Sequence, residues 1–215
     1  MSRSKLIKYQ HNLVSPYMIQ TDTTNYQTYG HLYGCRQTAY FDNAWPIILE
    51  LGCGKAEHGI YGARHYPHYN RIGVDIKWDR LYQASKIADQ ENLHNLALLR
   101  VDIHNLYLRF APGEVAEILL PYPDPRPKDA DAKRRLTYPL FLQLYAQILQ
   151  AGGYFKFKTD DENLYTYSQT MLAAMWRKQS TNEQVWLLTE FAEISSQFSR
   201  SKWPWKSIIV QHNPW

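Results

Sequence analysis

Apolar and polar positions change rhythm near residue 46. Before it the chain is polar and tyrosine-rich with little periodicity, which predicts an irregular arm or a short helix laid on the domain. Pro-Ile-Ile-Leu-Glu-Leu over 46–51 is a short branched apolar run stopped by Gly52 and Gly54, the pattern of a strand buried on both faces that enters a tight turn. A helix is predicted from about Ala56 to Tyr66, and Arg-Ile-Gly-Val-Asp-Ile over 71–76 reads as a second strand. Over 78–92, Leu81, Ala84, Ile87 and Ala88 share one helical face. Strands are predicted at 96–101 and 115–120, and Leu136, Leu140, Leu144, Tyr145 and Ile148 predict a helix over 134–149 closed by Gly152 and Gly153. Tyr-Phe-Lys-Phe-Lys over 154–158 alternates as a strand, Asp160 or Asp161 can cap a helix, and strands near 185–191 and 206–210 finish the sheet.

Strands alternating with helices imply parallel βαβ units with right-handed crossovers. The expected fold class is therefore α/β, a Rossmann-like doubly wound sheet with its ligand crevice beyond the carboxyl ends of the strands. No repeat or Ser/Gly-rich linker divides the chain, so the expectation is an arm over 1–44 and one domain over 45–215.

With 215 residues, 45% of them hydrophobic, the chain can bury one sizeable core. It lacks the roughly 18-residue apolar run that spans a bilayer, and its amino end lacks the hydrophobic region of a secretory signal, so a cytoplasmic protein with no membrane partner is expected. Cys35 and Cys53 have no zinc-type spacing and read as reduced thiols. His65 and His68 find no third ligand, so no metal is expected. The net charge is only +4, yet residues 1–10, 126–135 and 194–215 each carry +3, which leaves the remainder acidic. If these segments converge, they form the footprint of a polyanion such as nucleic acid; the alternative is ordinary solvated faces.

Chemistry concentrates at predicted strand ends. Glu50-Leu-Gly-Cys-Gly-Lys55 stands between a strand and a helix, where Gly52 and Gly54 let a ligand approach the backbone. The third glycine of a dinucleotide fingerprint is replaced by Glu57, and Glu50 would repel a pyrophosphate but accept from an ammonium group. An amino-acid-bearing nucleoside fits better than a dinucleotide. Asp75 closes the second strand at the position where an acid holds a ribose hydroxyl pair, and Asp102 closes the third, where it can accept from an adenine amine. Leu-Pro-Tyr-Pro-Asp-Pro-Arg-Pro-Lys over 120–128 leaves the fourth strand as a proline-stiffened loop, whose pre-proline residues are expected to be extended. Lys133, Arg134 and Arg135 at a predicted helix start oppose the helix dipole, which a phosphate partner would explain.

These residues closely resemble the bacterial tRNA (guanine-N7-)-methyltransferases, class I enzymes that use S-adenosylmethionine (SAM). The resemblance runs from about Pro46 to Met175. It rests on Leu49-Glu-Leu-Gly-Cys-Gly-Lys55, Gly73-Val-Asp-Ile76, Arg100-Val-Asp102, Pro123-Asp-Pro-Arg-Pro-Lys128, Lys133-Arg-Arg-Leu-Thr-Tyr138 and Phe157-Lys-Thr-Asp160. It implies a seven-stranded sheet with an antiparallel last strand, SAM as cofactor, and the variable-loop guanine of tRNA as target, in a monomer or homodimer. Carried over by position, Glu50, Gly52, Gly54, Asp75, Asp102 and Asp124 would line the cofactor site, with Asp124 also catalytic. Lys128, Arg134, Arg135 and Asp160 would meet the tRNA.

Three departures accompany the resemblance. Arg126 stands where the family usually has Trp, and Ala56 where it usually has Gly. The carboxyl-terminal Thr-x-Tyr/Phe-Glu is matched only by Thr189-Glu-Phe-Ala192 or Ser196-Gln-Phe-Ser199, with Glu193 as a substitute for the last residue. Two further readings stand beside the first: a class I methyltransferase acting on a small molecule or amino group, and an RNA-binding relative that has lost catalysis.

Overall fold

The computed structural model describes residues 3–19, 31–178, 185–190 and 206–213. Helix α1 (Arg3–Val14), strand β1 (Met18–Ile19) and helix α2 (Arg36–Ala39) precede an alternating series. That series is β2 (Ile47–Leu51), α3 (Glu57–His65), β3 (Asn70–Asp75), α4 (Trp78–Glu91), β4 (Leu96–Arg100) and β5 (Val115–Pro121). It continues with α5 (Pro139–Ile148), β6 (Leu149–Thr159), α6 (Glu162–Lys178), β7 (Val185–Glu190) and β8 (Lys206–Asn213). The strands form one sheet in the order β1-β4-β3-β2-β5-β6-β8-β7. Pairing is parallel from β1 to β6, and β8 runs antiparallel to both its neighbours. This is the mostly parallel, seven-stranded α/β sheet with an antiparallel last strand, extended by the two-residue β1 at one edge.

Every residue of β2 is buried, as a central parallel strand covered on both faces requires. One apolar cluster joins the sheet to α5 and α6 through Phe141, Tyr145, Leu164 and Leu172; a second joins the opposite face to α3 and α4 through Ile60, Ala63, Leu81 and Ala84. Helices therefore cover both faces, and the strand carboxyl ends stay open between them.

The amino-terminal segment is tied to the domain by buried polar groups. Asn12 is fully buried on α1, donates to the Trp78 carbonyl at 2.9 Å and accepts from Ser85 Oγ at 3.2 Å. Tyr9 meets Trp78 edge-on. Arg36 lies under Phe110 and donates to both carboxylate oxygens of Glu114 at 2.9 and 3.0 Å. Truncating either partner would leave a buried charge unpaired.

The helix predicted over 134–149 is shorter than its periodicity implied. A 3-10 helix spans Asp129–Arg134, the chain then extends, and α5 begins with Pro139 at its first position. Proline cannot donate inside a helix and pushes its predecessor, Tyr138, to ψ 146°. Nor do Gly152 and Gly153 close that helix, because β6 starts directly after it. They lie beside a register slip between Val115 and Glu117, and a Cβ on Gly153 would stand 2.8 Å from the Ala116 carbonyl oxygen.

Candidate active site

At the carboxyl end of β2 the chain turns sharply. Gly52 (φ 64°) and Gly54 (φ 58°) adopt left-handed backbone, and a Cβ added at either would meet open space. Conformation, not crowding, demands glycine there, and the bare backbone leaves room for a ligand. The turn is held by Cys53 N–H on the Val74 carbonyl and by Gly54 N–H on Asp75 Oδ2, both at 2.9 Å. Cys53 itself is buried beside Glu50 and Asp75. Desolvation first, then those two charges, push its thiol well above the ordinary range, which leaves it a packing residue.

A cavity of about 450 Å³ opens beyond this turn. Its walls include Gly52 and Asp75 from the first two strand ends, Asp102 and His104 from the third, and Arg126 and Arg134 from the rim. Ile76, Ile103, Leu136 and Phe141 give it apolar surface. Asp75 is 6% exposed; it also accepts the Lys77 N–H through Oδ1 at 2.8 Å. A carboxylate has about four acceptor sites, so two backbone donors fix Asp75 without exhausting it. Asp102 caps the 3-10 helix Ile103–Leu108 through the His104 N–H at 3.0 Å and meets His104 Nδ1 at 2.8 Å. Desolvation works to raise its carboxyl, but the backbone and imidazole of His104 outweigh that and hold it below the ordinary value.

The rim loop leaves β5 with two non-glycine residues in left-handed backbone, Tyr122 and Arg126, both at φ 49°. The expectation of extended pre-proline residues fails at these two positions. Each such residue costs on the order of 1–3 kcal/mol, and such strain persists only where surrounding contacts fix it. Tyr122 N–H donates to the Lys158 carbonyl at 2.8 Å. Arg126 N–H donates to Asp124 Oδ1 at 3.2 Å, and its Nε lies 3.0 Å from Asp124 Oδ2. Arg135 donates to the Arg126 carbonyl from two nitrogens.

The sequence-chosen residues thus fall into three groups. Gly52, Asp75, Asp102 and Arg134 share the cavity, with Gly54 bonded to Asp75. Asp124, Lys128 and Asp160 stand outside its lining as exposed rim residues; Asp124 reaches it through Arg126. Glu50 and Arg135 have different places from those expected. Glu50 is 3% exposed and accepts the Gly59 N–H of α3 at 2.8 Å, an anion on a helix amino end. Arg135 is 9% exposed, with Tyr167 against its guanidinium, so it braces the loop and is withdrawn from solvent phosphates. Lys77, His104 and Phe141 line the cavity and were not singled out in the sequence; His104, two residues after a strand-end Asp, carried the one readable signal. Glu193 and Ser196-Gln-Phe-Ser199 lie outside the described residues.

The cavity's chemistry fits SAM. A side-chain-free bend admits the amino-acid portion, Asp75 offers acceptors for vicinal hydroxyls, and Asp102 beside apolar walls suits an adenine with an exocyclic donor. Among the described residues no group of three or more His, Cys, Asp or Glu is placed to hold a metal ion, and no helix is long and apolar enough to cross a membrane.

The family model Methyltransf_4, described as "Putative methyltransferase", matches residues 44–206. A tRNA (guanine-N(7)-)-methyltransferase of Cytophaga hutchinsonii is 37% identical over 172 residues, 80% of this chain and 76% of that protein. The chain belongs to the tRNA (guanine-N(7)-)-methyltransferase family. Family members from Porphyromonas gingivalis and Christiangramia forsetii are 43% and 42% identical. Those matches span 66% and 62% of this chain, but only 57% and 59% of the two relatives. Solved structures agree on the fold. The 16S rRNA methyltransferase KamB superposes with TM-score 0.55 at 16% identity over 79% of this chain and 88% of that one. SMU.1697c from Streptococcus mutans, described as "a putative methyltransferase" and solved in complex with SAH, gives TM-score 0.51 at 9% identity, over 78% and 88% of the two chains.

Proposed function

We propose that this member of the family transfers the methyl group of SAM to N7 of guanine in the variable loop of tRNA. The observation that carries the reading is the strained Asp124–Arg126 rim over a glycine-bend cavity with an acid at each of two successive strand ends. When bound, SAM supplies an electrophilic methyl group on a sulfonium sulfur. Guanine N7 carries a lone pair and no proton, so the protein's task is alignment, with no general base required.

Each residue then has a task. Gly52 and Gly54 admit the cofactor to the backbone, Asp75 accepts from its ribose and Asp102 from its base. Asp124, held by Arg126, orients the guanine edge. Arg126 supplies a guanidinium plane on which a base can stack. Lys128 and Arg134 meet phosphates, and Asp160, whose charge adds to the burial that raises the Tyr122 phenol, faces the substrate from the end of β6. The proposal includes a cytoplasmic workplace and a monomer or homodimer.

The test is nucleoside mass spectrometry of tRNA that lacks the modification, after incubation with the protein and methyl-labelled SAM. Labelled 7-methylguanosine from the variable loop is the expected product. Label on another nucleoside, or none on RNA, would overturn the assignment.

A further inference from the structure

On the α3 face of the sheet lies a second cavity of about 400 Å³, which takes Ile48 and Arg71 from near the amino ends of β2 and β3 and Glu117 and Lys156 from β5 and β6. It shares no lining residue with the first cavity, which holds Gly52, Asp75 and Asp102. Its floor is a register row: Arg71 pairs with Ile48, and Ile48 with Glu117, so the three side chains share one face. Lys156, two residues beyond Glu117's register partner Tyr154, reaches the row with Nζ 2.6 Å from Glu117 Oε2. Tyr61, Tyr66 and Tyr69 form the wall.

Two costly features converge on Arg71. Its side chain is buried, the residue being 9% exposed, yet its guanidinium Nε is shielded from solvent and has no hydrogen-bond partner among the described residues. Desolvation pulls its pKa down from the ordinary value, and the charges of Glu117 and Glu50 only partly restore it. Gly62 stands inside α3, where glycine costs roughly 1 kcal/mol against alanine. A Cβ there would fall 2.0 Å from Arg71 Cζ, so the helix gives up a side chain to admit the guanidinium. The loop that carries Tyr66 and Tyr69 is pinned by Asn95 Nδ2, which donates to the Tyr69 carbonyl at 3.1 Å and the Ala63 carbonyl at 3.2 Å. A buried cation whose Nε lacks an acceptor and a helix carved to hold it are costs that a bound anion offsets, and the pinned aromatic wall stands ready beside them.

We propose that this second cavity binds a nucleoside monophosphate group, with Arg71 on the phosphate and the tyrosine wall on the base. An inorganic phosphate would leave most of the cavity unfilled, whereas guanidinium and tyrosine faces together suit a base with its phosphate. The Glu117–Lys156 pair offers one acceptor and one donor to the base edge or the sugar. The group can come from a free nucleotide or from a nucleotide of an RNA chain.

The experiment titrates AMP, GMP, CMP, UMP and inorganic phosphate into the protein by calorimetry, with S-adenosylhomocysteine present in excess to block the first cavity. At least one nucleotide is expected to bind at submillimolar Kd and phosphate far more weakly. Arg71→Met should weaken that nucleotide by at least about tenfold, and the exposed Tyr66→Ala, which spares the core, should weaken it severalfold. Methyl transfer by both variants should stay within about twofold of wild type. Repeating the titration with tRNA bound identifies the source: lost nucleotide binding assigns the cavity to an RNA nucleotide, retained binding to a free one. Absence of binding by all four nucleotides, or unchanged affinity in both variants, would overturn the proposal while leaving the methyltransferase reading intact.

Discussion

Arg135 donates from Nε and Nη2 to the single carbonyl oxygen of Arg126, at 3.2 and 3.1 Å, while Tyr167 covers its guanidinium plane at 4.4 Å. A basic residue that reads in sequence as an RNA contact is thus a brace beneath the strained end of the rim loop. Lysine cannot reproduce the fork or the stacking. Arg135→Lys should therefore lower stability by about 1–2 kcal/mol and reduce kcat for tRNA methylation at least about tenfold, with SAM affinity within about twofold of wild type. Denaturant unfolding, turnover kinetics and cofactor titration check it; an unchanged kcat would remove the brace from the mechanism.

Asp124 presents the opposite case. Its carboxylate is 63% exposed and meets Arg126 at the surface, where such pairs contribute about 0–1 kcal/mol. Asp124→Ala should abolish methylation while thermal unfolding moves little. A variant that retains activity would show that the carboxylate does not orient the reacting partners.

Arg134 lines the cavity with its side chain 63% exposed and pairs with Asp131 three residues earlier. Arg134→Ala should weaken tRNA binding and make log K against log salt shallower by about 0.7–0.9, the loss of one phosphate contact. Arg135, being buried, should leave that slope alone. Binding measured over a salt series separates the two; an unaltered slope in the Arg134 variant would count against a phosphate contact there.

The Asp102–His104 cap fixes a pH dependence. Asp102 has its folded pKa below its ordinary 3.8, because His104 outweighs desolvation. Its contribution to stability is then complete above about pH 4 and is lost as pH falls through the lower folded value. The difference in unfolding free energy between wild type and Asp102→Asn should shrink as the solution is acidified through about pH 4 and below. A difference that grew with acid would reverse the sign and refute the cap.

How much of this was legible depended on what each signal measures. The buried run over 47–51, the Leu81-Ala84-Ala88 face and the alternation over 154–158 became the elements they predicted, because each is decided by local burial on a packed sheet. Gly52, Asp75 and Asp102 converged because strand ends of a parallel sheet share one edge. Glu50 lies just before the same bend, yet strand alternation turns its side chain under α3, a direction that proximity in sequence does not encode. Arg135 differs from Arg134 in facing the Arg126 carbonyl and Tyr167, which lies on a helix 32 residues later. The second cavity left no motif, since its parts come from four strands, a helix and the loop after it.

The sheet order also governs how the fold must be made. Among the described residues β7 pairs only with β8, and β8 inserts between β6 and β7. During synthesis β6 therefore presents a bare edge, and β7 has nothing to join, until the chain has run well past residue 206. Such late, non-local pairing slows folding and exposes an aggregation-prone edge to neighbouring nascent chains. Removing β8 would cost the protein two strands instead of one.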